Sequence, residues 1–84
     1  MKDIVLIGSG NVATHLGVTL KNRGLNIVQV WSKNINNAEI LAGKLHCDYT
    51  DSINKLRKAD LYILAVKDDA ISKILSNLQN IAVV

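Results

Sequence analysis

Residues 4–13 read IVLIGSGNVA, and this decapeptide leaves the chain little choice of fold. An unbroken aliphatic run over residues 4–7 suits a strand buried on both faces, as in a parallel sheet. Gly8 and Gly10 then interrupt it. Beyond them Val12, Leu16 and Leu20 recur at every fourth position, flanked by Ala13 and Gly17, which predicts a helix over residues 11–23. Arg23 and Gly24 supply its basic last turn and its C′ glycine. Strand, glycine turn and small-faced helix together begin a strand–helix–strand unit, whose crossover is right-handed.

The alternation continues along the chain. NIVQVW (26–31) is a second strand, and Asn36 or Asn37 opens a helix to about Leu45 with Ile40, Leu41 and Leu45 inward. CDYT (47–50) is a short third strand, after which Asp51 or Ser52 caps a brief helix carrying Ile53 and Leu56. ADLYILAV (59–66) is the fourth strand. Asp68 or Asp69 then caps a helix with Ile71, Ile74, Leu75 and Leu78, and IAVV (81–84) is a fifth strand. The expected fold class is α/β: a doubly wound parallel sheet of strand order 3-2-1-4-5 in a three-layer α/β/α arrangement. No linker composition or repeat divides residues 1–84, so one domain is expected. Because NIAVV ends inside a strand pattern, the expectation is a domain cut in its fifth strand, with a C-terminal domain to follow.

Composition narrows the function. With 49% hydrophobic and 20% charged residues the chain is globular in class. The single cysteine, Cys47, excludes an intrachain disulfide and a multi-cysteine metal centre, and no metal is expected. No run has the length of a signal-peptide core or a membrane span, so the expected location is cytoplasmic. The net charge of +3 is mild, and its densest cluster, Lys55, Arg57 and Lys58, reads as a solvated helix face. Neither nucleic acid nor membrane is an expected partner.

The glycine turn carries the chemistry. In G-x-G-x-x-A, Gly8 permits the tight turn out of the strand and Gly10 lets the backbone approach a pyrophosphate. Ala13 lets the helix pack on the sheet, while Ser9 lies over the phosphates and the amides near Asn11 and Val12 bind them. The competing reading is a tight turn with no nucleotide. Ser32 stands nineteen residues after Ala13, where NAD-binding chains usually place an acid on the adenosine ribose. Here no acid occurs between Asp3 and Glu39; Ser32, Lys33 and Asn34 offer a hydroxyl, a cation and an amide, a set suited to a 2′-phosphate. NADP is therefore expected over NAD. Trp31 either lies by the adenine or packs at the sheet edge.

These stretches carry a resemblance. IVLIGSGNVATHL, VWSKN and ADLYILAVKDDAI resemble the N-terminal Rossmann-like domain of reductases that include pyrroline-5-carboxylate reductase and the deazaflavin-dependent NADP reductases. A nearer likeness is to bacterial oxidoreductases that join such a domain to a helical C-terminal domain. The resemblance implies an NADP-dependent oxidoreductase acting on a small-molecule substrate, with a possible homodimer built by the C-terminal region. It also implies that Val66 and Lys67 border the cofactor's ribose and pyrophosphate. Lys67 stands where that group commonly has proline. The segment that flanks the nicotinamide in such proteins follows the fifth strand, so no catalytic residue is assigned.

Other candidates weigh less. His15 reads as an exposed helical side chain, and His46 with Cys47 makes no metal site. Asp68 and Asp69 read as a helix cap and a first-turn acid. Two other function classes share the glycine turn: a nucleotide-sensing regulatory domain, which usually has an acid after its second strand, and a scaffold with a vacant cleft.

Overall fold

A computed structural model describes residues 3–66 and 81–83. Strands β1 (Asp3–Ile7), β2 (Asn26–Trp31), β3 (Asp48–Thr50), β4 (Leu61–Leu64) and β5 (Ile81–Val83) form one parallel sheet in the order β3-β2-β1-β4-β5. Helix α1 (Asn11–Asn22) joins β1 to β2, and α2 (Ile35–Leu45) joins β2 to β3. This is the expected doubly wound order. The expected helix between β4 and β5, with its Asp68 or Asp69 cap, lies outside the described residues, as do Lys67 and Val84.

The central strand explains the continuous aliphatic run. Alternate residues of β1 face opposite ways, so both faces need apolar side chains. Ile4 and Leu6 pack with Ala13 of α1 and with Ala38, Leu41, Ala42 and Leu45 of α2. Val5 and Ile7 pack on the other side with Trp31, Tyr62 and Leu64. The two helices therefore share one face. Gly17 is what lets them close: a Cβ there would stand 2.9 Å from Leu45 Cδ1 and 3.1 Å from Leu6 Cδ2. At the far end of α1 the amides of Gly24 and Leu25 donate to the carbonyls of Lys21 and Leu20, a Schellman ending with Gly24 at φ +83°.

Three expectations are corrected at the helices. Val12, taken as part of the inner stripe of α1, is 57% exposed; Ala13, Leu16, Gly17 and Leu20 form that face instead. Ile40 is 61% exposed, one position off the Ala38–Leu41–Ala42–Leu45 stripe. The cap of α2 is Asn34, whose Oδ1 accepts from the amides of Asn36 and Asn37 at 2.9 and 3.2 Å. In the first two cases the buried face includes small residues, Ala13 and Gly17 in α1 and Ala38 and Ala42 in α2, which sequence patterning discounts.

The second face differs more. Between β3 and β4 the chain makes only a 3₁₀ turn, Ile53–Lys55, where a brief helix was expected. The reason lies in who satisfies its backbone. Gln29, buried in β2, donates through Nε2 to the Lys55 carbonyl (3.1 Å) and accepts from the Arg57 amide (2.9 Å). The Tyr62 hydroxyl donates to the Arg57 carbonyl (2.8 Å) and accepts from the Ala59 amide (3.1 Å). Side chains thus take the bonds that a helix would have made within itself. A register slip between β1 and β2 skips Val28 and brings Gln29 opposite Val5; Val28 then packs against the second-face core while Gln29 reaches the 55–57 segment that adjoins it. Lys55, Arg57 and Lys58 are exposed as expected, though not on an α-helix.

β4 ends at Leu64, short of the expected Val66. Its partner β1 leaves the sheet at Gly8, whose amide bonds to the Trp31 carbonyl at 2.7 Å, while the Ala65 amide makes the last bond to Ile7 at 2.8 Å. Gly8 has φ +131°, and a Cβ on it would lie 2.7 Å from the Ala65 carbonyl oxygen. Gly10, at φ −75°, meets nothing within 4 Å. Gly8→Ala is expected to cost about 2 kcal/mol or more in urea unfolding, and Gly10→Ala less than about 1 kcal/mol. Equal losses would refute this division.

Candidate functional site

The carboxyl ends of β1, β2 and β4 meet at the glycine turn. Of the two described α-helices, α2 caps itself with Asn34, whereas α1 begins at Gly10 with no side-chain cap; neither has an acid in its first turn. The Thr14 amide and hydroxyl both return to the Gly10 carbonyl at 2.9 Å, which fixes the first turn. The leading amides of a helix have no partner within it. Those of Asn11, Val12 and Ala13 follow directly on Gly10, and the ordinary φ of Gly10 leaves the fold no need for glycine there. An open approach, helix amides and the positive end of the helix dipole suit an anion.

The loop after β2 lies against this turn. Ser9 Oγ and Ser32 Oγ are 2.7 Å apart, and Ser32 is 6% exposed. Ser32 Oγ also accepts from the Asn34 amide at 3.3 Å, and the Ser32 amide donates to the Thr50 carbonyl at 3.1 Å. Lys33 is exposed and has no hydrogen bond or ion pair among the described residues. Glu39, the first acid after Asp3, accepts from the Tyr49 hydroxyl at 2.7 Å.

The structure therefore brings Gly8, Ser9, Gly10, Asn11, Val12, Ala13, Ser32, Lys33 and Asn34 into one neighbourhood. Val66 adjoins it: its Cγ1 is 3.2 Å from where a Gly8 Cβ would stand. Trp31 is not open to a ligand. It is 4% exposed and packs on the second face with Ile7 and Leu64, and its Nε1 has no partner among the described residues. Alternation along β2 turns Trp31 away from the side that Val30 faces, into the core. Gln29 was missed in the sequence reading; a lone amide in NIVQVW was the available signal.

Two surface hollows flank these elements. A shallow apolar one of about 440 Å³ runs along α1 by Val12, His15 and Thr19, with His15 exposed. A larger one, about 640 Å³, lies along β3 and takes in Asp48, Arg57 and Cys47 but no residue of the glycine turn. Its Arg57–Asp48 pair, 2.7 Å apart, is exposed and already matched. The uncapped start of α1 lies at the turn and not in the larger hollow.

Against this geometry the comparisons are specific. The sequence model of the family "NADP oxidoreductase coenzyme F420-dependent" matches residues 3–83. The chain belongs to this family. Its N-terminal Rossmann-like domain is the part matched. A "putative NADP oxidoreductase" from Bacteroides fragilis, known from its crystal structure, is 41% identical with a TM-score of 0.80, over 88% of this chain and 29% of its own. An imine reductase from Myxococcus stipitatus in complex with NAD+ is 24% identical (TM-score 0.71), over 89% of this chain and 26% of its own. A shikimate 5-dehydrogenase-like protein is 22% identical (TM-score 0.69), over 77% and 24%. The last two speak to the fold alone. The chain thus spans under a third of the length of each solved relative. No curated protein matches it.

Cys47 has no place in this site. Burial, with the charge of Asp48, pushes its thiol up to about 11 against the opposing charge of Lys21. No group of three or more metal-ligating side chains occurs among the described residues, and no described helix is long and apolar enough to cross a membrane. A thiol held protonated reacts slowly, since the thiolate is the nucleophile. Alkylation of Cys47 by iodoacetamide in the native protein is expected to stay slow at pH 8 and to rise toward pH 11. Rapid labelling at pH 8 would contradict the burial. The raised pKa also means that stability from the half-buried thiol is complete below the unfolded value and is lost as pH rises through about 11.

Proposed function

We infer that this chain holds a nicotinamide dinucleotide, NADP in preference to NAD, as the cofactor-binding part of an oxidoreductase. The observation that carries the reading is Gly10: a glycine unneeded by the backbone, facing open space, at the head of an uncapped helix. The pyrophosphate fits over Gly8, Ser9 and Gly10 against the amides of Asn11, Val12 and Ala13. Membership of an NADP oxidoreductase family supports the cofactor class.

The preference for NADP rests on Lys33. It is an exposed cation beside the turn with no internal partner among the described residues, and Glu39 is engaged by Tyr49. An ammonium attracts the 2′-phosphate as a point charge, where an acid would repel it. The cofactor supplies the hydride chemistry; the chain supplies binding, orientation and electrostatics. In this reading a small-molecule substrate meets the cofactor at the carboxyl ends of the strands, against a further domain that also builds any dimer. The greater length of the solved relatives supports that arrangement. Val66 and Lys67 border the cofactor on the β4 side, Lys67 lying outside the described residues. A cytoplasmic location, a reducing compartment, suits a sequence whose single cysteine can form no intrachain disulfide. A purely regulatory nucleotide sensor has only the shared turn in its favour.

Titration calorimetry at fixed salt tests both halves. Lys33→Glu is expected to weaken NADPH binding by about tenfold or more and NADH binding far less, because a charge-assisted bond becomes a repulsion. Gly10→Val is expected to abolish both while the protein keeps its unfolding midpoint. Equal effects of Lys33→Glu on the two cofactors would remove it from the 2′-phosphate site; undiminished binding by Gly10→Val would remove the turn from the pyrophosphate.

A further inference from the structure

Helices α1 and α2 begin in opposite ways. In α2 the Asn34 side chain takes the amides of Asn36 and Asn37, and the Asn34 carbonyl receives the Ala38 amide at 3.1 Å. In α1 no side chain caps the leading amides, and the Gly10 carbonyl receives two bonds from one residue: the Thr14 amide and the Thr14 hydroxyl, each at 2.9 Å. The hydroxyl is the donor, since a carbonyl can only accept. Helix α2 is thus braced from in front, which occupies its donors. Helix α1 is braced from behind and keeps them.

The Gly10 carbonyl and the Asn11 amide belong to one peptide group. That group is planar and trans, so its C=O and N–H point opposite ways. Holding the carbonyl toward Thr14, down the helix, therefore aims the Asn11 N–H out beyond the helix start. A glycine is where such a peptide swings most easily, because no Cβ restricts its backbone angles. Gly10 has φ −75° and ψ −170°, with nothing within 4 Å of where its Cβ would stand. The helix itself gains little from the added bond. A threonine that bonds back to the carbonyl four residues earlier slightly destabilises its helix, and threonine is a weaker helix former than alanine.

We propose that Thr14 is a positioning residue for the pyrophosphate: its hydroxyl steadies the peptide between Gly10 and Asn11 so that the Asn11 amide faces the anion. This rests on the reading that the turn binds a dinucleotide. Thr14 acts through that peptide and not on the cofactor itself, so it serves NADPH and NADH alike.

The test compares the unaltered chain with Thr14→Val, Thr14→Ala and Thr14→Ser. Dissociation constants are measured for NADPH, for NADH and for adenosine 2′-monophosphate, which has no pyrophosphate, together with each thermal midpoint without ligand. Thr14→Val keeps the shape and loses the hydroxyl; it is expected to weaken both dinucleotides by one common factor, about two- to fivefold. Thr14→Ala should lose as much although alanine favours the helix, which separates positioning from helix stability. Thr14→Ser keeps the hydroxyl and should bind as the unaltered chain does. Adenosine 2′-monophosphate should bind all four proteins equally. The proposal is overturned if Thr14→Val and Thr14→Ala bind both dinucleotides undiminished, or if Thr14→Ser fails to restore binding at an unchanged midpoint. It is overturned equally if adenosine 2′-monophosphate weakens by the same factor, since the loss then lies outside the pyrophosphate. Failure of the unaltered chain to bind either dinucleotide would instead refute the underlying reading of the turn, and the proposal with it.

Discussion

The site depends on how closely the chain can pass itself at Gly8. There the amide reaches the Trp31 carbonyl on one side, and the absent Cβ leaves room for the Ala65 carbonyl on the other. Three strand ends converge because one residue has no side chain and a φ of +131°. The backbone leaves the sheet at that point and cannot continue as a strand, so β4 loses its β1 partner and stops. Helix α1 then starts where the turn releases it, with Ala13 and Gly17 laid close against β1 and α2.

From that approach follows a division of labour among glycines that look alike in sequence. Gly8 and Gly17 are required by packing, and Gly24 by its left-handed ending. Gly10 is required by none of these. It is a residue type the fold does not explain, at the head of the helix that alone lacks a side-chain cap among the two described α-helices, and the proposed dinucleotide would supply the reason. The second loop repeats the lesson with polar groups: Ser32 and Asn34 are engaged inside, and Lys33 is the side chain left facing out.

Much of the fold was legible in the chain. The β1 run, NIVQVW and the Gly24 ending each have a local cause that reads directly, and the strand order follows from right-handed crossovers. What was illegible depended on distant partners. Nothing near residues 52–57 says that Gln29 and Tyr62 will take their backbone bonds, so a helix was expected where a 3₁₀ turn forms. Trp31 seemed eligible for the adenine because a strand end permits either face; the alternation with Val30 decided it for the core. Asn34 was read as a ligand to phosphate, and its capping role emerged only once α2 was seen to begin at Ile35. The turn itself, from strand end to helix start, was legible because the part Gly8 plays in it is a backbone one, which sequence spacing reports well.

The most direct measurement is an amide-resolved NMR titration of the protein with NADPH. Binding at the turn predicts the largest chemical-shift changes at the amides of Gly8 through Ala13 and of Ser32 through Asn34, with little change along β3 at Asp48 and Tyr49. Changes centred on β3, where the larger hollow lies, or spread without focus on the turn, would contradict a dinucleotide site at Gly10.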